Sequence, residues 1–322
     1  MGSLDGYLQA LSLVAILILA PMTIHLIVHK EENTVFVYVD EDSQQEDDQD
    51  NLTTSRQIPQ LNRSEVARIA TFNIKVFGKA KMDKPEVVEE LVSIVTKYDL
   101  VAVQEVKDID QTVPYEFLDE INNLTGGFWN MSLSQRSGLQ EDDKSSQEQY
   151  IFYYNTTVFT EIGQGELYND SENDYFQREP YRASFELLNE SGNSSGFDFT
   201  LFTIHTKPAD ALSEINSIDE VIDEYRLSNP EELDIVILGD FNADCSYATS
   251  QELWESPLRE PNYTWLVNDL ADTTVSSTDC AYDRVVTWGD LGGRLVGSWG
   301  IDMGISSSDV SDHYPVWFDI YR

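Results

Sequence analysis

The stretch Ile235-Val236-Ile237-Leu238-Gly239-Asp240-Phe241-Asn242-Ala243-Asp244-Cys245 constrains this chain more than any other. Its β-branched and leucine residues predict a buried strand, and Gly239 lets the backbone leave it. Asp240 and Asn242 follow at a spacing that lets both point into one cleft. A carboxylate and an amide at the end of a buried strand are costly unless they bind something. The alternative is a turn in which Asp and Asn bond their own backbone. The number of comparable strand ends elsewhere in the chain decides between the two.

Hydrophobic periodicity predicts strands at 69–74, 99–104, 127–134, 149–154, 157–167, 181–188, 197–205, 233–239, 282–288 and 314–320. Helical stripes fall at 85–97, with Pro85 in the first turn, at 113–124 and at 213–226. Strands outnumber helices, and buried, parallel-looking strands mix with hairpin-like ones. A mixed α/β sandwich in one domain from residue 66 to 322 fits this order.

Five strand ends deliver polar residues: Asn73, Glu105, His205, Asp240 with Asn242, and Asp312 with His313, the last pair preceding its strand. Asp283 opens another strand. Of four histidines, His25 and His29 lie in or beside an apolar N-terminal run, leaving His205 and His313 for the folded domain. Two imidazoles, each oriented by a carboxylate, can act as general base and general acid near neutral pH. Asn73 and Glu105 are oxygen ligands suited to Mg²⁺, which binds one or two carboxylates together with substrate phosphate. No Cys/His spacing suits zinc, and no phosphate-cradling glycine loop with its lysine is present. A hard cation beside two His–carboxylate pairs fits attack by water on a phosphoester.

Charge and composition bear on where such chemistry takes place. Formal net charge is −38, from 20 Lys and Arg against 58 Asp and Glu. Only nine of those acids lie in residues 31–50, so the acidity is global. Self-repulsion of this size is relieved by salt, the Debye length falling to about 3 Å at 1 M, which suggests a halophile's surface. Asn-X-Ser/Thr sequons begin at Asn51, Asn62, Asn123, Asn130, Asn155, Asn169, Asn189, Asn193 and Asn262, nine of the seventeen asparagines. This enrichment favours an exported, extracellular chain.

Residues 7–28 form an apolar run without Asp, Glu, Lys or Arg, reaching about 33 Å as a helix, enough to cross a bilayer core. A cleavable signal peptide competes, but a basic leading segment is missing and Pro21 follows Ala20. Residues 1–30 are therefore expected to be a membrane anchor or signal, holding the chain at the cell surface or leading to its secretion. Residues 31–65, acidic and rich in Gln and Asn, are expected to be a disordered linker.

The domain resembles the deoxyribonuclease I family of the endonuclease/exonuclease/phosphatase superfamily. The likeness is carried by IATFNIKVFGKAKM at 69–82, YDLVAVQEV at 98–106, FQREP at 176–180, ILGDFNADCSY at 237–247, the run ending in TDCAYDR at 284, and SDHYPV at 311–316. It implies an α/β (α+β) four-layer sandwich of two packed mixed β-sheets flanked by helices. It implies a metal-dependent endonuclease, with Mg²⁺ or Mn²⁺ as cofactor, acting as a monomer on DNA with little sequence preference.

By the same resemblance Asn73, Glu105, Asp240, Asn242 and Asp312 form the metal and phosphate site. Glu148 pairs with His205 and Asp283 with His313; His205 protonates the leaving oxygen and His313 activates water. Lys75, Lys107, Arg178, Tyr247 and Tyr282 match DNA-contacting positions. Cys245 and Cys280 match a structural disulfide. Asp272, Thr274, Ser276 and Thr278 resemble a structural Ca²⁺ loop, and Asp174, Phe176 and Glu179 a second one in a shorter loop. Two departures weaken groove binding: the family's minor-groove arginine is Lys107, and its groove-stacking tyrosine aligns with Ser146. Competing readings are a phosphatase or phosphodiesterase of the same superfamily acting on another phosphoester, and a non-catalytic surface module that binds DNA.

Overall fold

A computed structural model describes residues 35–38, 62–138 and 147–322, the first of these segments through its backbone pairing alone. The compact unit runs from Val35 to Arg322. Its strands are β1 (Val35–Tyr38), β2 (Val66–Phe77), β3 (Leu100–Val106), β4 (Trp129–Leu133), β5 (Gln149–Asn155), β6 (Phe159–Leu167), β7 (Tyr181–Leu188), β8 (Ser194–His205), β9 (Ile235–Asp240), β10 (Tyr263–Trp265), β11 (Asp283–Trp288), β12 (Leu295–Asp302) and β13 (Val316–Tyr321). The longer helices are α1 (Pro85–Val95), α2 (Val113–Thr125) and α3 (Ala211–Ser228).

Two sheets form, in the orders β1-β12-β13-β2-β3-β5-β4 and β10-β11-β9-β8-β7-β6. Each is antiparallel except for one parallel pair, β2 with β3 and β8 with β9. Side chains alternate between the faces of a strand, and here each face meets a different layer. Ala67 and Ile69 of β2, Leu201 of β8 and Val236 and Leu238 of β9 join one apolar core. Phe72 and Ile74 of β2 pack instead with Val87, Leu91 and Val95 of α1. Ile235 and Ile237 of β9 pack with Ile215, Ile218 and Ile222 of α3. The order helices, sheet, sheet, helix is the four-layer sandwich expected from the sequence.

Three expectations change. Four residues inside the stretch read as linker, Val35–Tyr38, form an edge strand on β12, because Val-Phe-Val-Tyr suits a pleated edge. The flanking linker residues, the apolar run 7–28 and Ser146 lie outside the described residues. Among those described, no helix is long and apolar enough to cross a membrane. Strand β12 escapes the periodicity because Gly297 and Gly300 interrupt it, yet its Trp299 and Ile301 are buried between the sheets. Finally, Gly239 does not end its strand. It lies within β9 at φ +147°, where a Cβ would stand 2.0 Å from the carbonyl oxygen of Ile204, so only glycine lets β8 and β9 pair there.

Candidate active site

The alternation that builds the inter-sheet core also builds the site. Asn73, His205, Asp240 and Asp283 share the inward parity of Ile69, Leu201, Leu238 and Val285, and Glu148 that of Tyr150 and Phe152. They are core positions beyond the point where the apolar side chains stop. A hydrogen-bonded layer marks the transition: Thr71 Oγ1 donates to Gln104 Oε1 at 3.2 Å, and Gln104 Nε2 to Thr203 Oγ1 at 2.8 Å. All of these strand ends meet at one end of the sandwich, because β2, β3, β8 and β9 finish there while β11 and β13 begin there.

Asp240 is the centre. Its Oδ2 lies 3.6 Å from His205 Nε2 and 3.5 Å from His313 Nε2, and accepts from Asn73 Nδ2 at 2.9 Å. Its Oδ1 accepts the backbone N–H of Asn242 at 3.0 Å. Burial alone would raise its pKa, but His313, His205 and the Asn73 and Asn242 donors outweigh that and hold it below the ordinary carboxylate value. Asn242, at φ +48°, donates its side-chain amide N–H to Thr206 O at 3.1 Å.

Behind each histidine stands a second carboxylate. His205 Nδ1 is 2.9 Å from Glu148 Oε2, and His313 Nδ1 is 2.8 Å from Asp283 Oδ2. Glu148 is buried, which opposes its ionisation, yet His205, Arg178 and Lys107 bring its pKa down to about 2. Lys107 Nζ lies 3.1 Å from Glu148 Oε1 and 3.7 Å from Glu105 Oε2, tying the two acids together. Burial would lower the pKa of His313, but Asp283, Asp240 and Asp312 raise it to about 10. Asp283 is itself raised, by burial first.

Local backbone features aim the remaining groups. Glu105 sits at φ +60° in a register shift of β3, which turns it beside Asn73, whose Nδ2 donates to its Oε1 at 3.2 Å. Asp312 pairs with Lys75 at 2.7 Å. The segment carrying His313, just before β13, is braced by the loop after Ala271: Val275 N donates to Asp312 O, and Thr273 Oγ1 accepts from Asp283 N. The Cys245–Cys280 disulfide fastens that loop to the exit of β9, and the buried Arg284 donates to carbonyls of Val267, Asn268 and Ala243 on both sides of it.

The donor set suits a hard divalent cation. Ligand atoms of Asp240, Asp283 and His313 lie within 4.8 Å of one another, but Asp283 and His313 pair with each other, which leaves Asp240 of the three for a cation. Among the described residues the buried Asn73 Oδ1 has no hydrogen-bond partner, although its Nδ2 is shared by two carboxylates. An uncompensated buried carbonyl oxygen among acids is what an oxygen-seeking cation completes.

Other expected residues are placed less simply. Arg178 is buried, and its guanidinium donates to His205 O and Thr206 O at 2.9 Å each, so it braces the histidine strand. The Tyr247 and Tyr282 rings lie 5.4 Å apart, tilted by 35°, and Tyr282 lies 6.2 Å from the His313 ring. Thr274 Oγ1 and Ser276 Oγ both donate to Thr278 O, and Asp272 Oδ1 accepts from Thr274 N, so the four residues share one small loop. In the second calcium group the Phe176 ring belongs to the core beneath α3, and Glu179 accepts from Ser137 Oγ. Lys81, not singled out in the sequence, is buried and donates to Val310 O at 2.6 Å.

The profile of the endonuclease/exonuclease/phosphatase family matches residues 70–313, and the chain belongs to that family. Within it, the chain stands with the deoxyribonuclease I branch. Deoxyribonuclease-1 of Sus scrofa is 35% identical over 270 residues, covering 79% of this chain and 92% of that protein. Deoxyribonuclease-1 of Gallus gallus is 33% identical over 264 residues, covering 77% and 90%. Among solved structures, the human Nocturnin catalytic domain superposes with a TM-score of 0.54 at 14% identity, over 79% of this chain and 93% of that one. A humanized D. rerio TDP2 gives 0.54 at 11% identity, over 80% and 99%. At these identities the structural matches establish the fold.

Proposed function

We propose that this hydrolase is a deoxyribonuclease that cuts phosphodiester bonds within DNA with little sequence preference, using a divalent cation and its two histidines. One observation carries the reading: both Nε2 atoms converge on Asp240 Oδ2 while each Nδ1 is backed by its own carboxylate. With Glu148 ionised, His205 Nδ1 must donate to it, which leaves Nε2 facing the cleft as the atom that exchanges a proton. Asp283 orients His313 in the same way. Arg178 holds the His205 backbone, and Glu148 holds its ring. Mg²⁺ or Mn²⁺ held by Asn73, Glu105, Asp240 and Asp312 would supply positive charge to the phosphate oxygens and offset the acid field around His313.

The resemblance assigns proton donation to the leaving oxygen to His205 and water activation to His313. Asp283, Asp240 and Asp312 raise the pKa of His313, and a cation on Asp240 and Asp312 would oppose that, so the two roles call for a separate test. An activated leaving group discriminates the roles. A nitrophenyl phosphodiester needs little help from an acid, so it rescues the variant that lacks the donor and not the one that lacks the base. Plasmid cutting with titrated Mg²⁺ tests the function itself: His205→Ala and His313→Ala should each abolish it, and wild-type rates in both would end the proposal.

Exposed Tyr247, against the half-buried Tyr282 that neighbours His313, supports DNA contact there. Lys75 and Lys107 line the same cleft but are engaged by Asp312, Glu105 and Glu148, which accords with weak groove binding. The Asp272 loop is the better candidate for structural Ca²⁺, because its hydroxyl and carbonyl oxygens already converge. Export, with cell-surface anchoring or secretion, a monomeric state and a salt-adapted surface complete the reading. The sequons, the disulfide and the charge of −38 support it.

A further inference from the structure

Eight of the nine sequons fall on described residues, and the strand register assigns each to one end of the sandwich. Asn62 precedes the turn that leads into the start of β2. Asn123 lies in the last turn of α2. Asn130 pairs with Tyr154, beside Asn155 at the end of β5, where β3 begins. Asn189 and Asn193 form the β7–β8 turn closed by Leu188 and Ser194. Asn262 precedes β10, whose Tyr263 pairs with Trp288 at the far end of β11. These seven all lie at the end opposite His205, Asp240, Asp283 and His313. Only Asn169, in the β6–β7 connection near Tyr181 and Thr203, lies on the catalytic side. Chance would divide them between the ends.

Exposure selects among the acceptors. Asn62, Asn123, Asn130, Asn193 and Asn262 are exposed, as is Asn169 on the catalytic side, while Asn155 and Asn189 are half-buried. Asn155 Oδ1 accepts from both the backbone N–H and the hydroxyl of Thr157, the third residue of its own sequon. An N-linked glycan is bulky and needs open surface, and a nuclease must keep its cleft clear for a duplex. Clustering the acceptors away from the cleft meets both demands.

We infer that the chain is N-glycosylated on the end of the sandwich remote from its catalytic cleft, chiefly at Asn62, Asn123, Asn130, Asn193 and Asn262. The donor is a polyisoprenoid phosphate- or pyrophosphate-linked sugar. The asparagine Nδ2 forms a bond to the anomeric carbon, the bond from that carbon to the lipid-phosphate oxygen breaks, and the lipid phosphate leaves as an anion. Nδ2 gives up one proton to the transferase. The inference rests on the export reading above.

The test is a peptide map by mass spectrometry of the full chain purified from the cells that naturally make it. A sugar mass on peptides containing one or more of the five exposed asparagines is the expected result, lost when that asparagine is replaced singly, as in Asn193→Gln. Plasmid cutting should survive each replacement. Bare peptides at all five positions, or a replacement that leaves the sugar mass in place, would overturn the inference. So would the loss of cutting from a glycan-free but folded variant, since these sites would then serve the cleft. The map is independent of the nuclease assay, so the two readings fail separately.

Discussion

His205 Nδ1 and Glu148 Oε2 stand 2.9 Å apart, and the carboxylate of that pair is held at a pKa of about 2 against an ordinary 4.5. The folded state therefore binds the Glu148 proton more weakly than the unfolded chain. Its contribution to stability is fully present above pH 4.5 and is lost as pH falls from 4.5 through about 2. The gap is worth about 3 kcal/mol. In urea melts, the difference between wild type and Glu148→Gln should shrink across that window, and a constant difference would refute the assignment. Glu148→Gln should also slow DNA cutting by about 10²–10⁴-fold, the scale of losing an aligned acid–base group.

The contact between Gly239 and Ile204 makes a second prediction. A methyl group at residue 239 would press on the Ile204 carbonyl oxygen at 2.0 Å, separating the strands that carry His205 and Asp240. Gly239→Ala should cost about 1–3 kcal/mol of stability, the usual range for overpacking, and lower cutting with it. A thermal melt and a plasmid assay check both. Wild-type behaviour in both would mean that β8 and β9 are not paired at this position.

Reduction of the Cys245–Cys280 bridge, whose partners are separated by 35 residues, should cost about 4 kcal/mol by the loop-entropy estimate. The loop it fastens carries the Thr273 contact to Asp283, so the loss should reach activity as well. The paired variant Cys245→Ser with Cys280→Ser, melted in urea and assayed on plasmid, measures the two effects together. Unchanged stability would show that the Arg284 clamp suffices.

With a net charge of −38, duplex DNA is repelled unless the charges are screened. Cutting should hold or rise as KCl is raised toward molar concentrations at fixed Mg²⁺. Loss of activity above about 0.2 M, where ordinary phosphate contacts weaken, would refute a salt-adapted surface. Removing divalent ions with a chelator should stop cutting, and adding Mg²⁺ or Mn²⁺ should restore it.

Period-two patterning was enough to read ten of the strands and to find Asn73, His205 and Asp240, because each sits at the end of a run whose apolar residues alternate inward; the three-residue β10 is too short to show a period. The same rule would have reached Glu148, which shares parity with Tyr150 and Phe152, had the strand been followed one step past Gln149. It could not reach β12, where glycines dilute the pattern, nor the edge strand at Val35–Tyr38, which forms only because β12 offers it a partner. Which carboxylate serves which histidine, that Lys107 joins two acids and that Arg178 braces a backbone are matters of distance between residues far apart in the chain. So is the placement of seven sequons away from the cleft. Local sequence sets the conformation and facing of each strand, because propensity and alternation act between neighbours. Which strand ends meet is decided only when two sheets close on a shared core, since that packing brings distant residues within range of one another's charge.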